Sequence, residues 1–380
     1  MKNWDVIVIG GGIIGLSLSI ELRKGGASVL LVERGEPGRE ASHAAGGMLV
    51  DCALETPAAL QPLATASARM YPEFVHELEV ESDTRVDLRD QGTILFPPRE
   101  HICLQQLTTL PPADMKEREP ALGQLHFEQE LELKLLVKEG DVDPADVRSI
   151  SDIQGAAFYL KERSVDPRAL TAAAVKTAKN RGVDFSSGDP VTAVDLSDGH
   201  VNGVTTSKTS FLAPKVVNCA GAWSGQIGPR ALPTRPVKGQ MLCLLMPSRT
   251  LLKHVIRSPK VYLIPRSDGR LLVGATVEEA GFDKRTDIAT IQRLHKAAIA
   301  VVPKLRGAKI LEDWAGLRPG TPDALPILGP TETPGYYVAT GHFRDGILLA
   351  PITAQVMAQV TTGNKCNYDL APFSPARFSS

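Results

Sequence analysis

No Cys-x-x-Cys pair occurs in this chain of 380 residues, and its five cysteines (Cys52, Cys103, Cys219, Cys243 and Cys366) are scattered and odd in number. That pattern argues against a zinc site and a secreted disulfide framework, and leaves reduced, buried thiols as the expectation. No apolar run approaches the ~20 residues that a membrane span requires. The first residues, Met1-Lys2-Asn3-Trp4-Asp5, carry one cation and lead through a short apolar run into Gly10-Gly11-Gly12. Nothing there resembles a signal-peptide cleavage site, so the protein is read as cytoplasmic. A surplus of either charge is also missing: 42 Lys and Arg face 43 Asp and Glu, for a net charge of -1. Neither nucleic acid nor an anionic membrane is favoured by such a balance, and a small molecule is the expected partner. Internal repeats, low-complexity tracts and linkers are absent as well. A chain this long exceeds the size of one growing core, so two interleaved lobes are expected.

What is present starts with Val6-Ile7-Val8-Ile9, an apolar run without alternation. It predicts a strand covered on both faces, in a parallel sheet packed between helices. Ile13 to Leu22 reads as a helix closed by Gly25-Gly26, and Ser28 to Val32 as a second strand ending on Glu33, which completes a βαβ unit. Pro97 to Pro120, with its proline pairs, predicts a peripheral lobe. From Ser164 to Gly182 the helix signals are a capping Asp166, Pro167 at the first helical position and a terminal Gly182. Lys215 to Gly225 reads as a buried strand ending in small residues. Val261 to Thr276 predicts a hairpin turning at Ser267-Asp268-Gly269, within an antiparallel sheet. Thr290 to Val302 is expected to be helical, and Asp313 to Pro330 extended and stiffened by four prolines.

Gly10, Gly12 and Gly15 form a G-x-G-x-x-G corner between the first strand and helix. Its glycines permit a tight turn, close approach of backbone to a pyrophosphate and close helix-to-sheet contact. The helix start then offers N-H groups and a positive dipole end. Glu33 lies eighteen residues beyond Gly15 at a strand end, where a carboxylate accepts hydrogen bonds from ribose hydroxyls. Together these features point to an adenine dinucleotide. A second strand-glycine-helix corner, Tyr336 to Val360, predicts that a strand rejoins the first sheet. A helix then begins near Gly346-Ile347-Leu348 and faces the other end of a long cofactor. A reduced flavin carries negative charge that N-H groups at a helix start stabilise, which favours FAD over a nicotinamide.

Six stretches, VIGGGIIG, ASHAAGGML (from Ala41), CAGAWSG, VYLIPRSDGRLLVGAT, WAGLRPGTPDALPILG and GHFRDGILLAP, resemble the FAD-dependent amino acid oxidases of the D-amino-acid oxidase and sarcosine oxidase type. Within that family they are most similar to the glycine oxidases linked to thiamine synthesis. The resemblance spans nearly the whole chain, and its last two stretches are the more specific.

It implies an α/β fold: a glutathione-reductase-like FAD-binding Rossmann domain over residues 1–85, 145–230 and 318–370, interleaved with a substrate lobe on an antiparallel β-sheet over 86–144 and 231–317. By match, Ile13, Ile14, Glu33 and Arg34 hold the adenosine and pyrophosphate half, and Val191 touches the adenine. Ser42, Gly46, Gly47 and Met48 line the isoalloxazine, and Ala41 is also expected to bind the cofactor. His342 and Phe343 are also expected to bind the cofactor, and Arg344, Asp345, Gly346, Ile347 and Leu348 close over the flavin's pyrimidine edge. No cysteine stands at the attachment position of the sarcosine oxidases, so FAD is expected to be non-covalent.

For the chemistry, Arg318 is the first expectation: a planar, permanently charged fork suits a substrate carboxylate as a lysine does not. Tyr262 is placed to donate its hydroxyl to the same group, and Arg344 to contact substrate or flavin. His43 and Met48 are read as packing beside the cofactor. The reaction asks mainly for alignment of the α C-H bond over the ring. The expected function is oxidative deamination of glycine, sarcosine or a small D-amino acid by hydride transfer to FAD, with molecular oxygen as acceptor and hydrogen peroxide as product. One departure is that Val255 to Val261 lacks the aromatic residue of well-known glycine oxidases and carries Arg257 and Lys260, which predicts a more basic or more open lid. Three rivals stand beside this reading: a D-amino acid dehydrogenase using a quinone or other acceptor, a flavin-binding scaffold without activity, and an FAD domain for tRNA wobble-uridine modification. The balanced charge disfavours the last. Which amino acid is preferred and whether the protein forms a homo-oligomer are not legible in the residues.

Overall fold

The computed structural model describes residues 3–51, 56–96, 109–123 and 157–378. Cys52, Cys103 and residues 97–108 of the peripheral lobe expected from Pro97 to Pro120 lie outside them. Cys219 and Cys243 are buried free thiols, and Cys366 is half-buried and also free.

A six-stranded sheet carries both ends of the chain. Its order is Ile327–Pro330, Tyr336–Thr340, Val216–Asn218, Val6–Ile9, Val29–Glu33 and Asp184–Ser187. All neighbours are parallel except the first pair. Side chains alternate between two cores, as the period of a strand requires. Val6, Val8, Val29 and Leu31 point into a layer of four helices, Ile13–Lys24, Gln61–Ser82, Pro167–Asn180 and Gly346–Thr362. Ile7, Ile9, Leu30 and Val32 point the other way, onto Val201 and Val204. Both faces are buried as expected, but helices cover only one of them. The other carries an antiparallel meander, Val191–Ser197, His200–Thr206 and Ser210–Leu212. Most polar positions of this meander face solvent, so its sequence pattern does not mark it as the cover of a sheet.

Helix Pro167–Asn180 begins as predicted: Asp166 accepts hydrogen bonds from the N-H groups of Arg168 (2.9 Å) and Ala169 (3.3 Å). Gly182 follows its end at φ +76°, a conformation that glycine adopts without strain.

The second large sheet has eight strands, mostly antiparallel. At its centre Arg235–Leu245 pairs with Lys309–Gly320 on one side and Arg270–Gly274 on the other. The expected hairpin is Tyr262–Pro265 with Arg270–Gly274, turning at Gly269 with φ +98°. Helix Ile288–Val301, capped by Asp287 at the N-H of Thr290 (2.8 Å), packs its apolar side into this sheet's core. The proline-rich segment is extended and crosses between sheets: Lys309–Gly320 belongs to the second, Ile327–Pro330 to the first. Among the described residues no helix is long and apolar enough to cross a membrane.

Candidate active site

A cavity of about 1120 Å3 runs from the first glycine corner to the start of the C-terminal helix, between the two large sheets. At one end the glycines are required by space. A β carbon on Gly10, which has φ +104°, would lie 2.5 Å from the Cys219 carbonyl oxygen at the end of the neighbouring strand. One on Gly15 would overlap the Gly10 carbonyl, so Gly15 brings the helix onto the turn and itself does not line the cavity. Gly10, Gly12, Ile13 and Ile14 do line it. Ser42, expected beside the ring, also accepts the Ile13 N-H through its hydroxyl oxygen at 2.9 Å. It thereby ties the short helix Ala41–Ala44 to the start of helix Ile13–Lys24.

Glu33 is 8% exposed, and its carboxylate accepts from the N-H groups of Gly11 (2.7 Å) and Gly35 (2.8 Å). Two backbone donors fix its orientation at the cavity wall, and each oxygen retains a further lone pair. Arg34 is paired with Glu40 at 2.6 Å and lies 3.5 Å above the ring centroid of Trp223, which packs on Phe282. Trp223 lines the cavity, as Val191 does, but was not singled out from the sequence, because an indole after CAGA carries no positional signal of its own.

At the far end helix Gly346–Thr362 starts without a side-chain cap, so N-H groups of its first turn have no partner within the helix. His342, Phe343, Arg344, Asp345, Gly346 and Ile347 line the cavity, while Leu348 faces the helical core. Pro351 has no N-H for the Ile347 carbonyl four residues earlier. The hydroxyl of Tyr71, buried in helix Gln61–Ser82, donates to that carbonyl instead. Ser67 donates to the Leu348 carbonyl at 2.6 Å. His342 is 3% exposed with Nε2 at 3.1 Å from Thr353 Oγ1, and burial pulls its pKa down to about 3. It is neutral at physiological pH.

The second sheet forms the roof. Arg318 lies on Lys309–Gly320, and its Nη1 donates to the carbonyl oxygens of Thr276 (3.0 Å) and Lys238 (3.3 Å). These partners are neutral, so the guanidinium keeps its charge for the cavity. Burial lowers its pKa, and the adjacent Tyr262 hydroxyl works in the opposite sense. The Tyr262 phenol is itself pushed up by burial, which Arg318 opposes. Space for both comes from glycine. A β carbon on Gly239 would overlap the Arg318 guanidinium, and one on Gly274, directly opposite Tyr262, would lie 2.8 Å from its ring.

Arg344 lines the same cavity with its guanidinium 5.2 Å from the Phe343 ring centroid. Gly46, Gly47 and Met48 form another part of the wall, and Met48 packs against the cluster that holds Met241 and Ile264. His43 is outside the lining, and burial with Arg168 and Arg39 nearby lowers its pKa, in keeping with packing.

The expectation of a more basic lid needs correction for Arg257. That side chain is 5% exposed, and its Nη2 donates to both Glu162 oxygens at 2.9 and 3.1 Å. The pair is locally neutral. Lys260 is exposed at the cavity edge.

FAD fits this lining. Small residues and a helix start at one end suit a pyrophosphate, a fixed buried carboxylate suits ribose hydroxyls, and a second uncapped helix start at the other end suits an electron-rich ring.

Comparison with known proteins agrees. Residues 5–360 match the family described as DAO, FAD dependent oxidoreductase. The glycine oxidase of Geobacillus kaustophilus is 32% identical over 99% of this chain and 97% of its own. The crystal structure of glycine oxidase from the same organism superposes with a TM-score of 0.86 at 29% identity, over 99% of both chains. The bifunctional protein ThiO/ThiG of Trichormus variabilis is 33% identical over 98% of this chain, which spans 55% of that longer protein. Fold, cofactor fit and sequence match lead to one assignment: the chain belongs to the DAO family of FAD dependent oxidoreductases.

Proposed function

We propose that the protein oxidises glycine or another small amino acid, such as sarcosine or a small D-amino acid, at its Cα-N bond. The observation that carries this reading is Arg318, a cavity-lining guanidinium whose hydrogen bonds go to two backbone carbonyls and not to a carboxylate. A substrate carboxylate is the partner such a fork takes, through two parallel hydrogen bonds. Tyr262 beside it offers a hydroxyl to the same carboxylate, and Arg344 adds positive charge at the cavity wall. With the acid group held there, the α carbon is turned toward the wall of Gly46, Gly47 and Met48, where the isoalloxazine is proposed to lie. When bound, FAD supplies the acceptor for the hydride that leaves the α carbon.

The side chains bind and orient, and none acts as a titrating base. His342 and His43 are held neutral by burial, and the substrate enters with its amine unprotonated. The imine product hydrolyses in water to an oxo acid and ammonia, while oxygen takes the two electrons and two protons to give hydrogen peroxide. The test is peroxide release under air from glycine, sarcosine and D-alanine. Stoichiometric peroxide with at least one of them is expected. Silence with all three, while an artificial electron acceptor is reduced, transfers the reading to a dehydrogenase, and silence in both assays overturns it.

A further inference from the structure

Tyr262, Ile264 and Arg266 occupy every second position along and just past the strand Tyr262–Pro265, so their side chains leave the same face. That face lies on the loop at Gly46. A β carbon on Gly46 would be 2.7 Å from Ile264 Cδ1 and 3.5 Å from Tyr262 Cε2, and Arg266 Nη2 donates to the Gly46 carbonyl at 2.5 Å. Arg266 is 1% exposed and heads the largest fully buried side chains of the protein. Its Nε and Nη1 are buried without a hydrogen-bond partner.

The charges facing it are Asp166 and Asp87, which attract it, and Arg270 and Arg89, which repel it. Both acids are engaged elsewhere. Asp166 caps its helix and accepts from Arg270 at 2.7 Å, and Asp87 accepts from the Ser267 N-H and hydroxyl. Burial pulls the Arg266 pKa down to about 10, with Asp166 opposing, so the side chain remains a cation at neutral pH.

Burying a cation without a contact partner is unfavourable, and tying one carbonyl would need only a neutral donor. The charge therefore calls for a use beyond the tie. Across the Gly46 peptide lies the cavity. A trans peptide sends its carbonyl and its following N-H in opposite directions, so with the Gly46 carbonyl turned to Arg266 the Gly47 N-H points away from it.

We propose that Arg266 is a positioning residue for the flavin: from behind the Gly46-Gly47 peptide it fixes that peptide and holds a positive charge that favours the reduced, electron-rich ring over the oxidised one. This rests on the reading that the isoalloxazine lies against Gly46 and Gly47. A guanidinium in a site poorly screened by water acts over a longer range than a surface charge.

The test is the reduction potential of bound FAD, read by spectrophotometric equilibration with a reference dye. Arg266→Met is expected to lower the reduced-to-oxidised ratio at fixed potential about tenfold, which is about 30 mV for a two-electron couple. Arg266→Lys, which keeps the charge, is expected to stay within about threefold of the wild type, at most about half of the methionine effect on the same scale. Asp166→Asn keeps the helix cap but removes an opposing charge, and is expected to shift the ratio upward. An unchanged potential in FAD-bound Arg266→Met overturns the proposal. Should that variant fail to hold FAD, an unchanged potential in Asp166→Asn overturns it equally. A wild-type protein that takes up no FAD would instead defeat the functional reading itself, so the two failures are distinguishable.

Discussion

Gly239 and Arg318 share one space. The arginine stands opposite Val237 in the pairing of Arg235–Leu245 with Lys309–Gly320, and Gly239 is the next residue on the same face. Any side chain at 239 would overlap the guanidinium. Gly239→Ala is therefore expected to displace the fork and raise KM about tenfold, with the visible spectrum of bound FAD unchanged. Loss of part of a charge-assisted pair, about 1.4 kcal/mol, corresponds to that factor. An unaltered KM in steady-state assays would mean that the guanidinium is not where substrate binds.

Removing the fork itself has a larger effect. Arg318→Ala is expected to forfeit about 2 to 3 kcal/mol of substrate binding, or about 30- to 150-fold in KM. Arg318→Lys should recover little, since a point charge does not reproduce two parallel hydrogen bonds.

Tyr71→Phe leaves the Ile347 carbonyl without a donor, because Pro351 has none to give. An unsatisfied buried carbonyl costs about 1 to 3 kcal/mol. The expected outcome is a lower urea midpoint and weaker FAD retention, since the helix start that lines the cavity is no longer held. Equilibrium unfolding of the FAD-free protein and FAD titration separate the two effects.

His342 gives the protein an acid-side instability. Its folded pKa is depressed to about 3, whereas the unfolded residue titrates near 6.5. Between those values the unfolded chain binds the extra proton, so stability is complete above about pH 6.5 and falls as pH drops toward 3. His342→Gln should lose less stability between pH 7 and pH 4 than the wild type, measured by urea midpoints. Equal slopes would remove His342 from the account.

The parts legible in the sequence are those where local sterics decide. Gly10 and Gly15 are demanded by carbonyl oxygens a few ångströms away, and a G-x-G-x-x-G corner announces that demand. Asp166-Pro167 and Ser267-Asp268-Gly269 likewise mark a cap and a turn through the backbone conformations they prefer. The pairings that complete the cavity are non-local and left no such mark. Tyr71 repairs a proline 280 positions later in the chain by bonding a carbonyl 276 residues away, and Glu162 neutralises Arg257 across 95 residues. The lid therefore reads as more basic in sequence than in space. The meander over the sheet escaped notice because its outward residues are polar, and Trp223 because its partner Arg34 lies on a different strand-to-helix turn.

The central claim is that one cavity holds FAD between two helix starts and a substrate acid group on Arg318. It is tested most directly by titrating FAD-loaded protein with glycine, sarcosine and D-alanine in the absence of oxygen while following the oxidised flavin absorbance. The account predicts bleaching by at least one of these in the wild type, and in Arg318→Ala only at concentrations about 30-fold higher or more. Absence of bleaching, or the same concentration dependence in both proteins, would contradict it.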